Sequence, residues 1–201
     1  NKDKIQNNYN NFIKRVEDIK QLILNEDTDL KNKDIIDLIK VFADTWLSLE
    51  KYDKDRLPTS GSTEKTVKIE VDKFKKDLYL LKNELISKNE ATKLFATERD
   101  SGSLESIFCN ISQSFAGSDM YKTLEEKASN LLYFIIKNHP FIDGNKRSGA
   151  YAFIWFLQKN NLLNINKINS QTLTTLTILI AESNPKDKDK IIRLILQLLT
   201  N

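Results

Sequence analysis

An all-α fold is what this sequence predicts, and three observations carry the prediction. Apolar residues recur at spacings of three and four along most of the chain, the period of a helix face. Only five Gly and three Pro in 201 residues leave few points at which helices must break. Helix-start chemistry also sits where apolar runs begin. The clearest case is Thr123 with Glu126 three residues on, the spacing of a reciprocal capping box.

Taken in order, Ile5, Tyr9, Phe12, Val16, Ile19 and Ile23 trace the stripe of a first helix, which "NEDTD" ends. A second helix starts near "NKD", turns Ile35, Ile39, Phe42 and Trp46 inward, and stops by Tyr52. Together they form a helical extension over residues 1–54. "DRLPTSGSTEKT", residues 55–66, gathers Pro58 and Gly61 among small polar residues and reads as a linker. The core domain then spans 66–201. "TVKIEV" gives a short extended lead-in to a helix that ends about Ser87, and "SGSLESIFCNISQSF" gives a helix opened by a serine cap. "AGSDMYK" is a loop. The capping box opens a helix that ends at Asn138, because Pro140 disfavours helical geometry at His139 and lacks an N–H. Residues 139–144 are thus a forced loop before a second apolar helix, about Asn145 to Lys159. A helix over 170–183, a boundary at Pro185 and the amphipathic "KDKDKIIRLILQLL" complete the chain, with no internal repeat.

Composition excludes several function classes. Hydrophobic residues are 40% and charged residues 29%, and no apolar run approaches a membrane span. A net charge of +3, with both signs interspersed, gives no case for a nucleic-acid partner. The single cysteine, Cys109, excludes an internal disulfide and fits a cytoplasmic setting. The chain opens on Asn1 with no targeting pattern in its first twenty residues, so a longer parent protein is expected.

Chemistry concentrates in "KNHPFIDGNKR", residues 137–147. Gly144 lets a ligand approach the backbone, and the free N–H groups opening the next helix make an anion site. Lys146 and Arg147 fall in that helix's first turn, where the dipole disfavours cations, so they call for something negative. An Arg fork and a Lys point charge suit a polyphosphate. Asp143 offers one hard oxygen, the usual protein share in holding Mg²⁺ when a nucleotide supplies the rest. His139, the sole histidine, is the group here able to take a proton near neutral pH. A lone histidine is more often structural, and Asp-Gly-Asn is an ordinary turn sequence. The full set within nine residues is more than a turn needs.

"HPFIDGNKR" resembles the signature of the Fic/Doc (Fido) family, with supporting similarity through "FAGSDMYKTLEEKASNLLYFIIKN" and "SGAYAFIWFLQKN" over roughly residues 66–199. The chain most resembles Fic modules that follow a RhuM-like amino-terminal region. The resemblance implies a Fic-type helical bundle that uses ATP and Mg²⁺ to modify a Ser, Thr or Tyr hydroxyl of a protein. It implies His139 as general base, Phe141 as the residue pinning the loop, and Asp143 as the metal ligand. Gly144, Asn145, Lys146 and Arg147 would bind the nucleotide phosphates. Adenylyltransferases of the family read Gly-Asn-Gly-Arg, whereas Doc-type toxins read Ala-Asn-Lys-Arg and transfer the terminal phosphate; this chain mixes the two. Pro140 and Gly144 put AMP transfer first, and Lys146 makes Doc-like phosphotransfer the alternative. From another class, the rival is a catalytically silent helical protein-binding module.

The resemblance implies a β-hairpin flap that presents the target, with residues 110–121 as its place and a plain loop there as the alternative. Ser101 to Glu105 and Thr66 to Glu70 have the spacing of the family's inhibitory motif without its following residue, so built-in inhibition is not expected and a separate antitoxin-like partner is the alternative. Cys109 reads as a small buried residue, and Tyr151, Phe153, Trp155 and Phe156 as core packing. Lysines in 1–52 read as a solvated face.

Overall fold

The computed structural model describes residues 49–65, 67 and 69–200. The two amino-terminal helices read from the sequence, including Trp46, lie outside the described residues but for 49–53, which are helical. The chain divides into two compact units, Asn1–Leu57 and Pro58–Asn201, and the second holds the site.

This second unit is all-α apart from one small hairpin. Its elements are α1 (Val71–Ser87), α2 (Ser103–Ile111), β1 (Ser114–Phe115), β2 (Ser118–Asp119), α3 (Leu124–Asn138), α4 (Asn145–Lys159), α5 (Ser170–Glu182), a 3₁₀ turn (Pro185–Asp187) and α6 (Lys188–Thr200). The hairpin pairs Ser114 with Asp119 and Phe115 with Ser118, so a β-hairpin does form within 110–121. Among residues 67, 69 and 70, the described part of the extended lead-in ahead of α1, no strand forms.

Helices α3 and α4 are the hairpin around which the others are arranged. α2, α5 and α6 pack on α3, while α1 and α5 pack on α4. Gly149 permits the close approach: a Cβ there would come within 2.9 Å of Ile136 on α3. Leu131, Leu132, Ile135, Phe153 and Phe156 are buried along the seam. On the other side of α4, Phe74 of α1 sets its ring 5.2 Å from Phe108 and 5.3 Å, edge-on, from Trp155. The Trp155 indole N–H donates to Asp77 Oδ2 at 2.8 Å, which settles its polar end.

Helix ends follow the sequence closely where the caps are strong. Thr123 Oγ1 accepts from the Glu126 N–H, and Glu126 Oε2 accepts from the Thr123 N–H at 2.9 Å, completing the capping box. The serine cap expected for α2 does not form. Gly102, at φ 85°, holds the N-cap position instead, and the Ser103 hydroxyl donates back to the Asp100 carbonyl. Cys109 is exposed rather than buried, because α2 turns Leu104, Ile107, Phe108 and Ile111 inward and residue 109 falls on the outer face.

Residues 61–63, read from composition as linker, are bound to the start of α3. Gly61 N–H donates to Thr123 Oγ1, Leu124 N–H to the Thr63 carbonyl, and the Ser62 and Thr63 hydroxyls to the Glu125 carboxylate. A Cβ on Gly61 would overlap Glu125 and Thr123.

Candidate active site

The site is the corner between α3 and α4. Asn138 ends α3 and His139 turns the chain as its C-cap in the left-handed region, φ 49° and ψ 55°. That conformation is uncommon outside glycine, although His, Asn and Asp adopt it more readily than most. It carries the imidazole into solvent, where its side chain has no partner among the described residues. Pro140 and Phe141 are buried, Phe141 almost completely, as the loop-pinning reading expects.

Asn145 closes the loop on itself. Its Oδ1 accepts from the Phe141 N–H at 2.9 Å and its Nδ2 donates to the Phe141 carbonyl at 2.8 Å. Both halves of the amide are thereby committed to the backbone, so Asn145 shapes the site from beneath. The bidentate geometry needs an amide at the first residue of α4, which explains Asn there better than any propensity does.

A second segment, outside the motif, forms the outer wall. Residues 95–99 run beside the loop: Ala96 N–H donates to the Asp143 carbonyl at 3.0 Å, Arg99 N–H to the Pro140 carbonyl at 2.8 Å, and Ile142 N–H to the Thr97 carbonyl at 2.8 Å. Isolated bridges join Phe95 with Asp143 and Glu98 with Phe141. Phe95 is fully buried against Gly144, which sits at φ 83° and whose absent Cβ would overlap the ring. This glycine is required twice over, by conformation and by contact. Sequence reasoning did not single out Phe95 or this wall, since a pairing between distant loops leaves no periodic signal.

At the start of α4 the first closing bond runs from Ser148 N–H to the Gly144 carbonyl at 2.8 Å. The N–H groups of Asn145, Lys146 and Arg147 therefore precede the ladder and are available to an anion. Lys146 is exposed and has no side-chain partner among the described residues. Arg147 lies across the Phe95 ring, 4.6 Å from its centroid, donates to the Glu90 carbonyl at 3.1 Å, and reaches Asp143 Oδ2 at 3.4 Å. The Asp143–Arg147 pair is about half exposed on both sides, so it is weak and open to exchange with a ligand.

Asp143 contributes a half-exposed carboxylate to this corner, and no group of three or more His, Cys, Asp or Glu gathers among the described residues. A divalent cation fits only as Mg²⁺ does in nucleotide sites, with one protein carboxylate and the remaining oxygens from phosphate and water. Glu105, the glutamate of one inhibitory-motif match, pairs with Lys75; Thr66, the start of the other match, is outside the described residues.

The hairpin β1–β2 hangs from α3 by a buried charge. Lys127 is 1% exposed and donates to Asp119 Oδ2 at 2.7 Å. Phe115, at the hairpin's other strand, is exposed.

Sequence similarity to known proteins extends across this corner. Residues 73–157, from α1 to the end of α4, match the family model described as Fic/DOC family. A 65-residue stretch is 38% identical to the Toxin Doc of Mycolicibacterium smegmatis, covering 32% of this chain and 49% of that toxin. The chain thus spans about half the length of that curated relative. No solved structure gives a significant match.

Proposed function

We propose that this chain, whose residues 73–157 match the Fic/DOC family model, moves part of a nucleoside triphosphate, ATP first among them, onto a Ser, Thr or Tyr hydroxyl of another protein. The observation that carries this reading is the α3–α4 corner, where one pinned loop holds an exposed imidazole at one end and an unsatisfied helix start with two cations at the other.

In the reaction His139 accepts the proton of the incoming hydroxyl as its oxygen bonds to phosphorus. The bond from that phosphorus to its bridging oxygen breaks, and the leaving phosphate departs with the electron pair. The first-turn N–H groups, Lys146 and Arg147 hold the phosphate oxygens in line and stabilise charge as it shifts to the leaving group. When Mg²⁺ is bound through Asp143, it supplies further neutralisation of the phosphate charge.

Which phosphorus is attacked decides the product. Gly144 does not favour AMP transfer, because its backbone angle and the Phe95 ring account for glycine without any nucleotide. Lys146 does discriminate. A second exposed cation at the helix start draws the most highly charged end of the nucleotide, its terminal phosphate. The similarity to a protein named Toxin Doc points the same way. Terminal-phosphate transfer is therefore the first reading, with ADP leaving. AMP transfer, with pyrophosphate leaving, is the second, favoured by Pro140.

The test is mass spectrometry of lysate proteins after incubation with the full chain, ATP and Mg²⁺. A His139-dependent gain of phosphate is expected, falling about 10²–10⁴-fold in His139→Ala. A gain of AMP would install the second reading. No gain from folded protein would leave a silent protein-binding module. An antitoxin-like protein partner would act by covering this same corner.

A further inference from the structure

Phe95 is a fully buried ring in a segment of irregular backbone, and three features of the phosphate corner converge on it. Gly144 leaves the room its edge occupies, its neighbour Ala96 bonds the Asp143 carbonyl, and its face carries the Arg147 guanidinium. Arg147 is an exposed side chain in a first turn, where its own helix repels it. Left alone it would sample many rotamers. Here the ring beneath, the Glu90 carbonyl at one nitrogen and Asp143 near the other hold the plane of the fork in one place.

We propose that Phe95 is a positioning residue of the phosphate site, stacking under Arg147 so that the guanidinium is set beside the α4 N-terminus before the nucleotide arrives. The inference rests on Arg147 being a phosphate ligand, as the functional reading has it. A fork already ordered loses less freedom on binding, and its remaining N–H groups meet the phosphate without a search. Burial alone would also account for a phenylalanine, so the distinction is whether its effect on binding passes through Arg147.

A double-substitution cycle decides. Phe95→Leu keeps an apolar side chain in the pocket and removes the aromatic face; Arg147→Met keeps the stem and removes the fork. Binding of Mg·ATP and of inorganic tripolyphosphate to the full chain is measured by titration calorimetry, with the thermal midpoint of each variant recorded. A cation–aromatic contact of this exposure predicts about two- to fivefold weaker binding of both probes in Phe95→Leu, and no further loss when Phe95→Leu is added to Arg147→Met. An equal loss in both backgrounds would make Phe95 a packing residue only and overturn the proposal. So would unchanged binding in Phe95→Leu. If Arg147→Met binds both probes as well as the unaltered chain, Arg147 is no phosphate ligand and the proposal falls with that assignment. If the unaltered chain binds neither probe, it is the functional reading that has failed first.

Discussion

The two ends of α3 treat charge in opposite ways. At the amino-terminal end Glu125 is 3% and Lys127 1% exposed, yet every charge is matched: Glu125 by Ser62 and Thr63, Lys127 by Asp119 of the hairpin. At the carboxy-terminal end His139 and Lys146 stand in solvent without side-chain partners among the described residues, and Arg147 is held only by contacts that leave its fork half open. Buried charge must be satisfied by the fold, because removing it from water costs several kcal/mol. Exposed charge set against its own helix dipole has no such internal reason. The first end is what holds the domain together, and the second is what the domain holds out to a ligand.

Substitution at the buried end should therefore cost stability, and the largest loss is expected for Asp119→Ala. It leaves the Lys127 ammonium buried without its anion, a change worth about 3–5 kcal/mol. Urea denaturation of the full chain measures it. The double variant Asp119→Ala with Lys127→Met should recover part of the loss, because no unmatched charge remains. A cost below about 1 kcal/mol for the single variant would mean that Lys127 escapes to water, and the contrast between the two ends would break.

A smaller effect, about 1–3 kcal/mol, is expected for Glu125→Gln, which loses charge-assisted bonds from the 61–63 strap. Burial pushes the Glu125 carboxyl up, but the Thr63 hydroxyl, the backbone N–H groups of Glu125 and Thr63, and the Ser62 hydroxyl together hold it below the usual glutamate value. A carboxyl lowered in the folded state contributes stability that is complete above its unfolded pKa. That contribution is lost as pH falls through the folded value. Denaturation midpoints measured from neutral pH down into the acid range should fall less steeply in Glu125→Gln than in the unaltered chain. Parallel curves would show that the strap does not depend on this charge.

Much of this was legible in the sequence, for reasons that differ from place to place. The bounds of α3 and α4 were readable because a capping box and Pro140 act locally, and local chemistry is written in adjacent residues. The motif residues were readable because their types conflict with their surroundings: two cations at a helix start, a histidine ahead of a proline. The hairpin was foreseen from the family resemblance alone, since two-residue strands carry no periodicity. Other features were hidden. Glu125 and Lys127 look like ordinary surface charges on an amphipathic helix, and only the tertiary fold shows that the strap and the hairpin cover them. Gly61, Ser62 and Thr63 have linker composition, yet small polar residues also suit a segment that must lie close against a carboxylate. Phe95 was invisible because its partners, Gly144 and Arg147, lie far along the chain at the start of α4 and contact it by shape.

The smallest effect gives the sharpest contrast, because its sign separates stability from function. Lys146→Glu replaces a cation in the first turn of α4 with an anion, the charge a helix N-terminus prefers. At a site kept only for the fold's sake, the exchange would break contacts and destabilise. Lys146 has no side-chain partner to lose among the described residues, so the domain should gain about 0.3–1 kcal/mol in urea denaturation at low salt. Mg·ATP binding by titration calorimetry should weaken at the same time, because a like charge now faces the phosphates. Stability gained and binding lost in one substitution is the mark of a residue maintained against its own helix. A loss of stability would instead show that Lys146 is tied into the fold, and its assignment to the nucleotide would lose its physical ground.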